Sequence, residues 1–192
     1  MPGTLWSAPS SVQGAVSLTS VPSTIADISP SQCLIPAGTL NYGTRIRLRA
    51  AGEYTASTTA STMVLGFYMN QAGTAITTTP AILGVTAATL VVVATAWPFI
   101  LEYTGVMQAL SVIQNATTAK IVGQGWSLLP VTDVVHFTGP TPLPVTAALR
   151  TVAQTATGLN TETNQVVSLG CTISSTGFTG ITVDELTCEL IG

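Results

Sequence analysis

Charged side chains are scarce in this sequence. Only 7% of the 192 residues are Asp, Glu, Lys or Arg, whereas an ordinary soluble domain has about 25%. The chain has one lysine, Lys120, and its five basic residues face eight acidic ones, which gives a net charge of -3. A protein that binds nucleic acid through its phosphates needs a far more basic surface, so we exclude nucleic acid as a partner. A surface with so little charge repulsion favours permanent assembly with other subunits.

Groups for catalysis are equally scarce. His136 is the one histidine, and its neighbour Asp133 lies three residues earlier, which on a strand puts the two on opposite faces. Asp184 and Glu185 are adjacent and so also point apart. The segment "GQGWSLL", residues 123–129, lacks the lysine and the following helix of a phosphate-binding loop. The sequence therefore predicts a protein that is not an enzyme, with no catalytic residue, metal site or cofactor.

The three cysteines, Cys33, Cys171 and Cys188, lie far apart and form no C-x-x-C pair. We expect buried free thiols, and a Cys171–Cys188 bridge is the alternative if their strands are neighbours. The odd count favours synthesis in a reducing compartment, as does the first segment, "MPGTLWSAPSS", which does not resemble an export signal.

One segment is apolar enough to be mistaken for a membrane span. Residues 81–101 carry no charge over about 20 residues, the length that a helix needs to cross a bilayer. Its threonines, its β-branched Val91-Val92-Val93 run and Pro98 instead indicate strand and loop, and no Lys or Arg flanks it. We therefore predict no membrane partner.

From residue 33 onward, apolar and polar residues alternate between clusters of Gly, Pro and Asn, the pattern of short antiparallel strands. About eight main strands can be counted, and no stretch has the periodicity of an amphipathic helix. The sequence predicts an all-β antiparallel sandwich of jelly-roll type over residues 31–192. Residues 1–30 contain one charge, Asp27, and many Ser, Thr, Val and Pro residues. They are predicted to form an extended N-terminal arm that contacts neighbouring subunits.

Three of the five basic residues stand in one row, at alternate positions of "RIRLRA": Arg45, Arg47 and Arg49. On a strand they share one face, where guanidinium groups pair with carboxylates of adjacent strands. Glu53 and Glu102 are the candidates. Three interpretations stay open: a solvated, partly paired sheet face, contact with an acidic surface of another subunit, or binding of an anionic ligand.

The tryptophans Trp6, Trp97 and Trp126 are the other candidate interface residues, and exposed indoles could also stack on sugar rings. Gly123 and Gly125 flank the last of them in a strand that should pack tightly against a partner. For Trp126 this favours burial in the core or in an interface.

Several segments together resemble a known group of proteins. "LIPAGTLNYGTRIRLRAAGEYTAS" is similar to the opening of jelly-roll virion structural proteins of tailed bacteriophages, in which an "IPAGTL" strand, a glycine turn and an alternating strand follow one another. "WPFILEYTGVMQ" and "KIVGQGWSLL" resemble the paired strands that follow, and "NQVVSLGCTIS" and "ITVDELTCELIG" the closing strands. The resemblance covers roughly residues 33–192 and leaves the arm unmatched.

The resemblance implies a non-enzymatic role in the virion, assembled in the host cytoplasm. The expected function is a capsid decoration protein that binds and stabilises the assembled head, as a homotrimer in contact with the major capsid protein or other virion proteins. A receptor- or glycan-binding module of a tail or fibre is the alternative. The family brings no site residues, so the arginines and tryptophans above are hypotheses about interfaces.

Overall fold

Strands and turns make up the described part of the chain. The computed structural model describes residues 16–18, 24–31, 33–56, 62–76, 81–89, 96–110, 119–128, 154–155, 159–173 and 178–191. All regular structure within these ranges is β-strand, which confirms the all-β prediction. The strands are β1 (Val16–Leu18), β2 (Ala26–Asp27), β3 (Cys33–Ile35), β4 (Arg45–Ala56), β5 (Thr62–Gln71), β6 (Ala81–Thr89), β7 (Trp97–Ala109), β8 (Lys120–Leu128), β9 (Gln154–Thr155), β10 (Gln165–Ile173) and β11 (Phe178–Ile191).

The strands form two antiparallel sheets. A six-stranded sheet has the order β1-β11-β4-β7-β8-β9, and a five-stranded sheet has the order β2-β10-β5-β6, with β3 also pairing with β10. Apolar residues of both sheets form one core. Its largest fully buried side chains include Tyr54, Phe67, Phe99 and Tyr103. Burial of these rings, together with the many aliphatic side chains of the core, stabilises the sandwich.

The six-stranded sheet alternates between buried and exposed positions. On β4 the side chains of Ile46, Leu48 and Ala50 are fully buried, while Arg45 and Arg47 are exposed. β7 repeats the pattern, as the sequence predicted. One face of this sheet therefore covers the core and the other faces solvent.

In the five-stranded sheet, β10 is buried on both faces. Leu169 on β10 points into the core, yet Val166 and Ser168, which point the other way, are only 9% and 5% exposed. Gly170 on the same outward side is covered by Ile25, whose Cγ2 would lie 2.7 Å from a Cβ added there. The segment that precedes β3 thus covers part of the outward side of β10.

The described parts of the predicted N-terminal arm pair with the chain's own sheets. β1 lies along β11, and β2 lies along β10. Beyond β2, the amide of Ile28 donates to the carbonyl of Leu169 (2.9 Å), and the amide of Leu169 donates to Ser29 Oγ (2.8 Å). Backbone groups at a sheet edge need such partners. Residues 1–15 lie outside the described residues, so contact between the arm and neighbours stays a prediction.

The apolar segment at residues 81–101 is strand where the structure describes it. β6 pairs along its length with β5, and β7 begins at Trp97. The prediction of strand is confirmed for these residues. Among the described residues, no helix has the length and apolar character needed to cross a membrane.

The cysteine prediction needs correction. Cys33 on β3 and Cys188 on β11 form a disulfide, and Cys171 is a buried free thiol. The alternative of a Cys171–Cys188 bridge is therefore wrong. The prediction of a buried free thiol is confirmed for Cys171 and wrong for Cys33 and Cys188. β3 pairs with β10 and β11 pairs with β4, so the bond joins the two sheets through strands that are 155 residues apart in sequence.

Candidate binding face

The solvent side of the six-stranded sheet, hereafter the outer face, contains the arginine row and alternate residues of β7, β8 and β11. Strand register sets its cross-strand neighbours. Arg47 lies opposite Glu189 on one side and Thr104 on the other. Arg49 lies opposite Glu102, which in turn lies opposite Trp126.

The turn before β4 fixes where the arginine row begins. In "NYGT", the amide of Thr44 donates to the carbonyl of Asn41 (2.9 Å), and the amide of Asn41 donates to Thr44 Oγ1 (3.0 Å). Gly43 has a φ of 85°, which glycine adopts without the strain that a side chain would bring. Two backbone bonds tie Gly43 and Thr44 to Met107 at 2.9 Å each, so β4 starts in fixed register with β7.

Arg49 is the centre of a charged network. Its Nη1 pairs with Glu185, and its Nε lies 3.3 Å from Glu102 Oε1. The second oxygen of Glu102 accepts a hydrogen bond of 3.0 Å from the indole N–H of Trp126. Four side chains from four adjacent strands are therefore linked, and the partly buried positions reduce their screening by water.

Arg47 is paired more loosely. Its Nη1 lies 3.9 Å from Glu189 Oε2, and the two side chains are 52% and 37% exposed. An exposed pair at this separation contributes little, about 0 to 1 kcal/mol. Both pairings match the interpretation of a solvated, partly paired sheet face; contact of the row with another subunit stays a prediction.

Arg45 differs from the other two arginines. It is exposed, and no carboxylate among the described residues pairs with it. Lys120 on β8 is half-exposed and likewise has no ion-pair partner in the described part of the chain. Val122, Gln124 and Trp126 continue along the same side of β8, so Lys120 belongs to the same end of the outer face as Arg45.

One glycine of β7 and one of β8 make room for a buried ring. The phenol of Tyr103 is 2% exposed and lies against Gly105 and Gly123, where an added Cβ would collide with the ring. At Gly125 an added Cβ would collide with the backbone carbonyl of Glu102. The tight packing that the glycines predicted is therefore with β7 of the same chain. Burial raises the pKa of Tyr103 well above its ordinary value of 10.0.

The tryptophans separate into three cases. Trp126 is 41% exposed on the outer face, so burial in the core of its own chain is wrong, and burial in an interface stays a prediction. Trp97 is 7% exposed and belongs to the core, so its ring is not presented to a partner or a sugar. The interface hypothesis is therefore wrong for Trp97. Its position on β7 alternates with exposed Pro98 and so faces inward. Trp6 lies outside the described residues, as do His136 and Asp133.

Two shallow concavities adjoin on the outer face. The larger, of about 420 Å³, is lined by Arg45, Thr104, Val106, Gln108, Val122 and Gln124, with Gly123 at its floor. The smaller, of about 170 Å³, extends from Thr104 and Gln124 to Glu102 and Trp126. Together they present a cation, a carboxylate, two amides, a hydroxyl and an indole, groups that bind polar ligands by hydrogen bonds and stacking.

Some members of the face could not be identified from sequence. Glu102 was predicted as an arginine partner and is one, but Glu53 lies opposite Thr182 and Pro98 and pairs with no described arginine. Glu185 and Glu189 were missed because β11 joins β4 from the far end of the chain. Their four-residue spacing on one strand was the available signal. No family model, curated protein or solved structure matches this chain.

Proposed function

We propose that this chain is a non-enzymatic structural protein of a bacteriophage virion, a capsid decoration protein that binds the assembled head as a homotrimer. The observation that carries the proposal is the composition of the exposed sheet. On β7 and β8 the side chains that face solvent are polar but uncharged or apolar, with Glu102 and Lys120 as the charged exceptions. The whole chain has only 7% charged residues, so copies that meet through surfaces other than this face also repel one another little, which favours association.

The pairing on β4 supports a role in which the outer face stays in solvent on the particle. Arg47 and Arg49 already have carboxylate partners within the chain. Burying such pairs against a capsid subunit would cost desolvation free energy without a new partner in return. Attachment through residues 1–15, which precede β1, is the arrangement that fits the proposal best.

The proposal includes a jelly-roll winding of the chain. Its support is that β4 and β5, consecutive in sequence, lie in different sheets and pair with β11 and β10 respectively. Two strands from the first half of the chain thus pair with the last two strands, one pair in each sheet, as in a jelly roll. The neighbour of β4 on its other side is β7, whereas a regular jelly roll would place the last strand between them.

The test is the mass of the full-length protein by light scattering after size exclusion at neutral pH. A trimer would have three times the chain mass of 19.7 kDa. Co-sedimentation with empty heads of the phage that encodes the chain would then show attachment. A stable monomer at high concentration would overturn the self-assembling form, and absence from sedimented heads would overturn decoration.

One observation favours the second candidate, a receptor- or glycan-binding module of a tail or fibre. The indole of Trp126 is exposed and held in place by Glu102, which suits stacking on a ligand. Loss of glycan-array binding in Trp126→Ala, together with a failure to bind heads, would favour this alternative.

A further inference from the structure

Basic and acidic side chains are unevenly distributed over the outer face. Arg45 and Lys120, two of the five basic residues of the chain, lie at one end of it without ion-pair partners among the described residues. The carboxylates of Glu102 and Glu185 lie towards the other end, where Arg49 engages them, and Glu189 lies between the two ends, opposite Arg47. This end of the outer face therefore has two basic residues that no described carboxylate neutralises, which favours the binding of an anion.

The larger concavity lies at that positive end. Val106 and Val122 lie directly opposite each other on β7 and β8, and Arg45 lies opposite Val106 on β4. Lys120 does not line this concavity. From the spacing of strands its Cα lies about 12 Å from that of Arg45, so its side chain has to extend towards Arg45 for both to contact one ligand. Gln108 and Gln124, both exposed, add amide groups at the rim.

The face continues beyond the cations to an aromatic ring. Gln124 and Thr104 lead from the larger concavity to the smaller one beside Trp126, about 16 Å from Arg45 by strand spacing. The ring is held by Glu102, which is itself held by Arg49, so the indole is ordered before any ligand arrives. Ordered groups bind with a smaller loss of conformational entropy.

We infer that this face binds a carboxylate-bearing oligosaccharide, with the carboxylate between Arg45 and Lys120 and a sugar ring against Trp126. Guanidinium and ammonium groups recognise the carboxylate by charge-assisted hydrogen bonds. Amides and the Thr104 hydroxyl match sugar hydroxyls, and the apolar side of a sugar ring packs on an indole. An acidic peptide fits less well because the two valines offer only a shallow apolar surface for its side chains.

The inference does not depend on the proposed function, since a decoration protein and a tail module can each present this face to solution. The experiment uses the full-length protein and an array of short oligosaccharides that contain uronic or sialic acids, each printed beside its carboxyl-reduced counterpart. We expect binding to at least one acidic member and loss of that binding on carboxyl reduction. Binding to no acidic member, or equal binding to the reduced counterpart, would overturn the inference.

Three variants locate the site. Arg45→Gln combined with Lys120→Gln should weaken binding by at least about tenfold, because two charge-assisted contacts are lost. Arg47→Gln is the matched control: it removes a charge from the same face at a residue already paired with Glu189, and it should leave affinity within about twofold. Trp126→Ala should weaken the binding of acidic oligosaccharides that are long enough to reach the indole. It should leave the binding of a single acidic sugar unchanged.

The mass in solution and the melting temperature of each variant should equal those of the wild type, which separates failure of the site from failure of assembly. If poly-glutamate competes as well as the acidic sugar, the ligand is an acidic peptide and the inference is wrong. If Arg47→Gln loses as much affinity as the double variant, the site is misplaced and the inference is again wrong.

Discussion

The two sheets of this protein differ in how their strands are buried. In the six-stranded sheet, Ile46 and Leu48 on β4 are buried while their neighbours Arg45 and Arg47 are exposed. In the five-stranded sheet, β10 is buried on both faces over nearly its whole length. In the six-stranded sheet one face therefore contributes to stability and the other to surface chemistry, whereas β10 of the five-stranded sheet contributes to stability through both of its faces. Substitutions should accordingly have larger effects on the five-stranded sheet.

The largest difference is expected between two aromatic residues, one from each sheet. Phe67 on β5 is fully buried, so Phe67→Ala should lower the free energy of unfolding by about 3–5 kcal/mol through lost burial and a cavity. Trp126→Ala, on the exposed face, should cost about 1 kcal/mol or less. Urea denaturation of both variants provides the comparison. Equal losses would show that the outer face is covered in the folded protein.

The disulfide tests how far the two sheets depend on each other. Cys33→Ala should lower stability by about 2–5 kcal/mol because the Cys33–Cys188 bond closes a very long loop in the unfolded chain. A reductant should destabilise the wild type and leave Cys33→Ala unchanged. Cys171→Ala, the control at the free thiol, should retain the response to reductant. A count of three reactive thiols in the denatured, unreduced protein would contradict the bond.

Alkaline pH should lower the stability of the protein through Cys171 on β10. Burial raises the pKa of this thiol to about 12, against an ordinary value of 9.0. The unfolded chain thus loses the proton first, so the stability present below pH 9 is lost as pH rises towards 12, by at most about 1.4 kcal/mol per pH unit. Urea denaturation at pH 8, 9 and 10 should show a loss of about 1 kcal/mol that Cys171→Ala reduces. Identical pH slopes for the two proteins would refute this account.

The smallest effects are expected on the outer face. Arg49→Gln should cost about 0.5–1 kcal/mol, because it breaks a network that includes two carboxylates. That loss should shrink at high salt. Arg45→Gln, which removes no described ion pair, should leave the melting temperature unchanged. If Arg45→Gln were the more destabilising of the two, the distinction between Arg49, which pairs with carboxylates, and Arg45, which pairs with no described carboxylate, would be wrong.

Local pattern was enough to predict the alternation of β4 and β7 in the six-stranded sheet. The alternation in "RIRLRA" and "LEYTGVMQAL" depends only on which face meets the core, and both strands have the predicted inward residues. The pairing of Glu102 with Arg49 could be anticipated for the same reason, since both belong to long strands with clear alternation.

Other features depend on contacts between distant segments. The outward burial of Val166 and Ser168 could not be predicted, since it depends on what covers the sheet and not on β10 itself. The Glu185 pairing depends on a bulge between Val183 and Glu185 that shifts the register of β11 against β4. The disulfide was missed because spacing in sequence says little about which strands of two sheets come together.

The bond between Cys33 and Cys188 also gives the chain the topology of a covalent ring with two short ends. A single proteolytic cut anywhere between residues 33 and 188 would open that ring without releasing a fragment. The nicked protein would keep its mass until it was reduced, and the cut would first become visible on a reducing gel. A cut within residues 1–32, by contrast, would release its peptide as soon as the strand pairing of that segment failed.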